Sequence, residues 1–185
     1  MARPSGARRP GVSSIESARE VAARLDTIVH TSVAGITFQS MNSFFTTLRA
    51  YLQVQNDRLG ARNDLYALLR RTNDPNGLAL FSLGPQIDKA DSAGHFHFPS
   101  GARLSFGITL RHGTPCSLVS FRFHYQLADS SSPAFLRFDL NPDLHQDPLT
   151  EPRCHLHPGL DHVRLPTPAL TPFEVLDRIF FALEG

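Results

Sequence analysis

The sequence predicts an α+β fold, in which N-terminal helices precede an antiparallel β-sheet and a C-terminal helix packs on the apolar face of that sheet. Apolar residues recur at helical spacing in the first part of the chain and at every second position from residue 78 onward. A capping-box motif then opens an amphipathic helix at the C-terminus. The chain has 185 residues, 41% of them hydrophobic, which suits one compact unit better than two full-sized domains.

The chain divides into three stretches. Residues 1–12 contain arginine, proline and glycine with almost no apolar side chains, which is the composition of a disordered basic arm. Residues 13–77 are predicted to be helical: a first helix over 14–30, a second that begins at Ser40 or Asn42, and a continuation beyond Gly60 through Leu69. The turn-forming residues 73–77 end this region. Residues 78–185 form the sheet and the last helix, and we expect them to make one unit with residues 13–77.

Alternation of apolar and polar residues predicts the strands. It is clearest over residues 102–112 and recurs over 119–127, 136–140, 153–157 and 162–165. The last helix follows from Thr171 and Glu174, which have capping-box spacing, with Pro172 at the first helical position. Its apolar stripe is predicted to cover the sheet and consists of Phe173, Leu176, Ile179, Phe180 and Leu183.

Arginine and histidine dominate the polar positions of the predicted strands. These positions are Arg103, Arg111, Arg122, His124, Arg137, Asp139, Arg153, His155, His157, His162 and Arg164. Solvent-facing strand positions ordinarily mix Thr, Lys, Glu, Ser and Gln, so we expect this open face to have a function.

A metal-independent ribonuclease needs such residues: a base for the ribose hydroxyl, an acid for the leaving oxygen, and arginine for the phosphate charge. The predicted catalytic residues are His155, His157, Asp139 and His124. The predicted RNA-binding residues are Arg122, Arg137, Arg153, Arg103, Arg111 and Arg164.

Other interpretations of this face stay open. It can be a phosphate or nucleic-acid platform without catalysis, a solvated surface or a protein interface. His155 and His157 project to one side of a strand and can chelate zinc, with His124 or Asp139 as the third ligand. The arginines on the same face repel a divalent cation, so we prefer proton transfer or phosphate binding and expect no cofactor. Cys154, beside His155, points to the opposite face and is predicted to be buried and unreactive.

Composition excludes some classes of protein, and missing motifs weaken the case for others. Two cysteines cannot build a disulfide framework or a four-cysteine zinc site, and a net charge of +1 gives no overall basic excess. The sequence lacks a long apolar run and a secretory signal, so we expect a cytoplasmic protein without membrane contact. Nucleotide hydrolysis, serine hydrolysis and helical zinc proteolysis have no supporting motif.

The second half of the chain resembles the TumE-type toxins of bacterial and archaeal toxin–antitoxin pairs. The similarity is carried by an aromatic strand over residues 118–125, by Leu136-Arg137-Phe138-Asp139, by Cys154-His155-Leu156-His157, and by the closing helix after Thr171. It implies a growth-inhibiting toxin that acts on RNA and is neutralised by a partner antitoxin. It points to Arg137, Asp139, His155 and His157. The helices before residue 78, and Phe138 where the family tends to carry Tyr, depart from the pattern. The alternative is a non-enzymatic subunit of a larger defence or nucleoprotein assembly that binds nucleic acid or protein.

Overall fold

The computed structural model describes residues 32–33, 35–84, 94–128, 133–142 and 152–185. Over these residues the predicted α+β fold is confirmed: helices lie on an antiparallel sheet, which is the larger part. The predicted basic arm, residues 1–12, and the first predicted helix, residues 14–30, lie outside the described residues. None of the helices in the described ranges is long and apolar enough to cross a membrane.

The elements follow one another along the described chain in this order: β1 (Thr37–Phe38), α1 (Met41–Arg58), α2 (Leu65–Leu68), β2 (Leu69–Asp74), β3 (Leu78–Leu83), β4 (Phe96–His97), β5 (Arg103–Arg111), β6 (Cys116–Gln126), β7 (Phe135–Leu140), β8 (Cys154–Pro158), β9 (Leu165–Pro166) and α3 (Pro172–Asp177), which continues as a π-helical segment (Arg178–Leu183). The strand order is β2-β3-β5-β6-β7-β8-β9, with β1 paired to β6 and β4 paired to β5. Neighbouring strands are therefore mostly consecutive in sequence, as hairpin connections require.

Helix α1 begins where the sequence places a cap. The Ser40 side chain accepts a hydrogen bond of 3.1 Å from the backbone N–H of Ser43, which satisfies one free donor of the first turn. Phe44, Leu48 and Leu52 of the helix are buried against the sheet. Just beyond its end, Gly60 has a φ of 65°, a left-handed conformation that ends the helical path, so the predicted interruption is confirmed.

The predicted helical continuation through Leu69 is wrong. Only one turn, α2, forms there, capped by the Asp64 carboxylate, and the chain then becomes strand β2. Strand β2 pairs with β3 across a tight turn that contains Gly77 at a φ of 77°. The turn residues 73–77, which were predicted to end a helix, thus connect the two strands of a hairpin. Leu69 pairs with Leu83, and both side chains are buried.

The C-terminal helix covers the apolar face, together with α1. Its capping box is present: Thr171 Oγ1 accepts from the N–H of Glu174 at 3.2 Å, and Glu174 Oε2 accepts from the N–H of Thr171 at 2.6 Å. The Phe180 ring packs on those of Phe96 and Phe98, each at 5.3 Å between centroids. Leu183, predicted to belong to the buried stripe, is 43% exposed. The wider π-helical turn changes the angular position of the residues that follow it, so the buried stripe ends at Phe180.

Candidate functional site

Strands β5 to β8 place polar residues in two adjacent rows on the sheet face opposite the helices. One row runs through Gly107, Arg122, Asp139 and His155; the other runs through Ser105, His124, Arg137 and His157. Paired strands lie about 4.8 Å apart and residues two apart on a strand are about 7 Å apart. The register alone therefore brings these side chains within reach of one another.

Asp139 lies at the centre of the cluster and is 3% exposed. Its Oδ1 accepts a hydrogen bond from Arg122 Nε at 3.2 Å, and its Oδ2 accepts one from Arg137 Nε at 2.9 Å. A buried carboxylate is tolerated when it is paired and hydrogen-bonded, and two guanidinium groups provide both conditions here. The carboxylate is held in one orientation, with Oδ2 turned toward strand β8.

His155 and His157 both turn Nε2 toward that oxygen. Nε2 of His155 lies 3.7 Å from Asp139 Oδ2, and Nε2 of His157 lies 3.4 Å from it. The two imidazole rings, 4.8 Å apart between centroids, are 2% and 0% exposed. We call Asp139, His155 and His157 the triad.

The hydrogen-bond partners define the tautomers of the two histidines. His155 Nδ1 lies 2.6 Å from the Pro152 carbonyl oxygen, which only accepts, so this nitrogen carries the proton and Nε2 has a lone pair. His157 Nε2 lies 2.8 Å from Arg137 Nη2, which only donates, so this Nε2 also presents a lone pair. The unprotonated Nε2 atoms of both histidines therefore lie beside the Asp139 carboxylate, and the lone pair of His157 is occupied by the Arg137 hydrogen bond.

Burial sets the protonation of these imidazoles. It lowers the pKa of His155, against the opposing effects of the Pro152 carbonyl and the Asp139 carboxylate. It also lowers the pKa of His157, and the Arg137 guanidinium lowers that pKa further. Both rings are neutral near neutral pH, a state suited to a base or a metal ligand. It does not suit the acid that the predicted mechanism needs for the leaving oxygen.

Arg137 connects the triad with the surface. Its Nη1 forms an ion pair with Asp161, whose side chain is 75% exposed, while the Arg137 side chain itself is 18% exposed. Asp161 was missed in the sequence because it lies in the turn between β8 and β9, outside any alternating pattern. The turn signal Pro158-Gly159 shows only that the chain reverses there, not that it returns an acid to the site.

The other predicted site residues lie in different environments. His124 lies in the second row, where its ring packs edge-on against Phe135 at 5.1 Å, and burial followed by Arg137 lowers its pKa. Arg111 and Arg164 are exposed, and Arg103 is half-buried. Arg153, predicted to bind phosphate, is buried and directs Nε at the Asn141 carbonyl oxygen, 3.3 Å away.

The prediction that this polar face is open to solvent is therefore wrong around the triad. Asp139, Arg153, His155 and His157 are buried, because alternation along a strand assigns a side chain to a face without saying what covers that face. Arg122, at 42% side-chain exposure, is where the cluster meets solvent. Cys154 is buried as predicted, and burial raises the pKa of its thiol.

No family model, curated protein or solved structure matches this chain. A functional assignment therefore depends on the chemistry of the triad and of the arginines beside it.

Proposed function

We propose that this protein binds and cleaves RNA, as an endoribonuclease of toxin or defence type. The observation that carries the proposal is the placement of Arg122 and Arg137 directly on the triad, with Nε atoms 3.2 and 2.9 Å from the Asp139 carboxylate. Phosphodiester cleavage needs positive charge beside the group that moves the proton, since negative charge grows on the phosphate in the transition state. The resemblance to TumE-type toxins points to Arg137, Asp139, His155 and His157.

The arginines supply the substrate contacts in this proposal. Arg122 is partly exposed and its free guanidinium nitrogens can bind a phosphate while Nε stays on Asp139. Arg111 and Arg164 are exposed and can provide further contacts to phosphates. Arg137 is the innermost, because its three nitrogens bind Asp139, Asp161 and His157.

The neutral imidazoles supply the base. The Nε2 lone pair of His155 can take the proton of a ribose hydroxyl or of water, and the lowered pKa keeps this imidazole unprotonated near neutral pH. The His157 lone pair can do so once Arg137 Nη2 releases it. The acid for the leaving oxygen has to be a different group. The neutral imidazoles do not decide whether the reaction needs a metal ion, because the same nitrogen atoms can carry protons or bind a cation.

The test is cleavage of an end-labelled RNA pool by the purified chain. We expect cleavage by the wild type, at least a 100-fold loss in His155→Gln and His157→Gln, and full activity in the control His162→Gln, whose side chain is exposed. Arg122→Ala should reduce cleavage and also lower the melting temperature, because it removes one of the two hydrogen bonds to the buried Asp139 carboxylate. A wild-type chain that binds RNA with strong salt dependence but cleaves nothing would overturn the enzyme and support the non-enzymatic subunit. A chain that does neither would overturn both.

A further inference from the structure

We propose that Asp139, His155 and His157 bind one divalent transition-metal ion, with Zn²⁺ as the best-matched cation. Within the part of the chain that the structure describes, these three side chains form a group whose ligand atoms all lie within 4.8 Å of one another. Two imidazoles and one carboxylate are a common ligand set for catalytic zinc, and leave a further position for water or substrate. The proposal stands apart from RNA cleavage, because it depends only on the three side chains.

The distances fit a shared cation. Metal–ligand bonds to imidazole nitrogen and carboxylate oxygen are about 2.0–2.2 Å long, so two ligands at a tetrahedral angle lie about 3.4 Å apart. Asp139 Oδ2 lies 3.4 Å from His157 Nε2 and 3.7 Å from His155 Nε2. These two distances lie within a few tenths of an ångström of that spacing, and since the three ligand atoms are spread over up to 4.8 Å, binding would also draw the two imidazole nitrogens closer together.

The protons point away from the triad, which distinguishes a metal site from a hydrogen-bonded one. With its proton on Nδ1 and shared with the Pro152 carbonyl, His155 has no proton to donate to Asp139. His157 Nε2 accepts from Arg137 and likewise has none to donate. The Arg137 guanidinium now bridges Asp139 Oδ2 and His157 Nε2, and a metal ion would take over its place on the His157 nitrogen. The backbone carbonyl behind His155 is also the usual outer partner of a metal-binding imidazole.

The neighbouring charges permit the cation, and the ligand set selects its type. The Asp139 and Asp161 carboxylates balance the Arg122 and Arg137 guanidiniums. When a cation binds, Arg137 Nη2 must release His157 Nε2. Arg137 then keeps its ion pair with Asp161 at the surface. Arg164 adds a positive charge near both imidazoles. The ligand set itself disfavours Mg²⁺, which depends on oxygen ligands, and favours an ion that bonds strongly to nitrogen.

The test is titration of the full, EDTA-treated and desalted chain with ZnCl₂ by calorimetry, and with CoCl₂ by visible absorption. We expect one Zn²⁺ per chain, a higher melting temperature with zinc, and a visible Co²⁺ band. Asp139→Asn, His155→Gln and His157→Gln should each bind zinc at least about 100-fold more weakly. His124→Gln, on the same face, and His162→Gln, exposed, should bind as the wild type does.

A second variant keeps the test decisive if a triad variant fails to fold. Arg137→Gln removes the group that competes for His157 Nε2, so it should bind zinc as tightly as the wild type or more tightly. Absence of wild-type binding, weaker binding in Arg137→Gln, or loss of the site in His124→Gln would overturn the proposal. Zinc binding by a chain that cleaves no RNA would leave the metal site standing and remove the ribonuclease. Cleavage by a chain that binds no zinc would do the reverse.

Discussion

Replacement of Phe180 by alanine tests how the C-terminal helix holds the sheet. Phe180 is fully buried, and its ring lies 5.3 Å from those of Phe96 and Phe98 and 6.0 Å from that of Tyr51. Truncation of a buried phenylalanine costs about 3–5 kcal/mol, and each aromatic pair contributes about 0.5–1.5 kcal/mol beyond its buried area. Three ring contacts place Phe180→Ala in the upper half of that range, at about 4 kcal/mol.

Urea denaturation followed by circular dichroism measures this loss. For a chain of this length the free energy of unfolding changes by about 2–3 kcal/mol per molar urea, so the midpoint should fall by about 1.5–2 M. Domains have a total stability of about 5–15 kcal/mol, so Phe180→Ala should remain folded but only marginally.

The adjacent residue provides a matched control. Phe181 is 53% exposed, and the Arg58 guanidinium lies 4.7 Å from its ring centre. Its replacement by alanine should cost about 1 kcal/mol or less, since an exposed cation–π contact contributes about 0.5–1 kcal/mol. Equal losses for the two variants, or a larger loss for Phe181→Ala, would refute the docking of this helix and the register of its π-helical segment.

Three further predictions concern the arginines, the histidines and the helix cap. The logarithm of the RNA affinity should fall linearly with the logarithm of the salt concentration, and Arg111→Ala should reduce the slope of that line by about 0.7. Arg153 is buried, so Arg153→Ala should leave the slope unchanged and lower the melting temperature instead. In the presence of EDTA the chain should be most stable above about pH 6.5. Burial lowers the pKa of His155 and His157, so below that pH the unfolded chain binds more protons than the folded chain. As the pH falls, the free energy of unfolding should therefore decrease by up to about 1.4 kcal/mol per pH unit for each histidine. His155→Gln should make the stability less dependent on pH. Thr171→Ala removes the side-chain acceptor of the capping box and should lower the free energy of unfolding by about 1 kcal/mol in the same urea assay. The control Thr167→Ser, at a half-buried loop position before the helix, should cause no measurable change.

Most strands could be predicted from the sequence because each has its own alternation. Phe121, Phe123 and Tyr125 alternate with polar residues, and the structure buries all three. Strand β2 has no such pattern: after Leu69 it reads Arg-Arg-Thr-Asn-Asp. It becomes a strand because β3 offers it a partner across a tight turn, and this long-range interaction overrides local preference.

The members of the candidate site could be predicted, but not their contacts. Alternation places Asp139, His155 and His157 on one face, as the structure has them. It does not fix the register between β7 and β8, which decides that Asp139 pairs with His155 rather than with a neighbour. Neither does it show that a turn returns Asp161 to Arg137, nor that the triad is buried.

The burial of the triad is itself an argument for function. Ion pairs and imidazoles lose their hydration when they are buried, and well-packed apolar side chains of the same volume are often equally stable or more so. The opposite face of the same sheet carries such a core, with Phe106, Phe123 and Leu104 fully buried. Stability alone therefore gives no reason to bury a carboxylate and two imidazoles around one point. A proton, a phosphate or a metal ion handled at that point does give one.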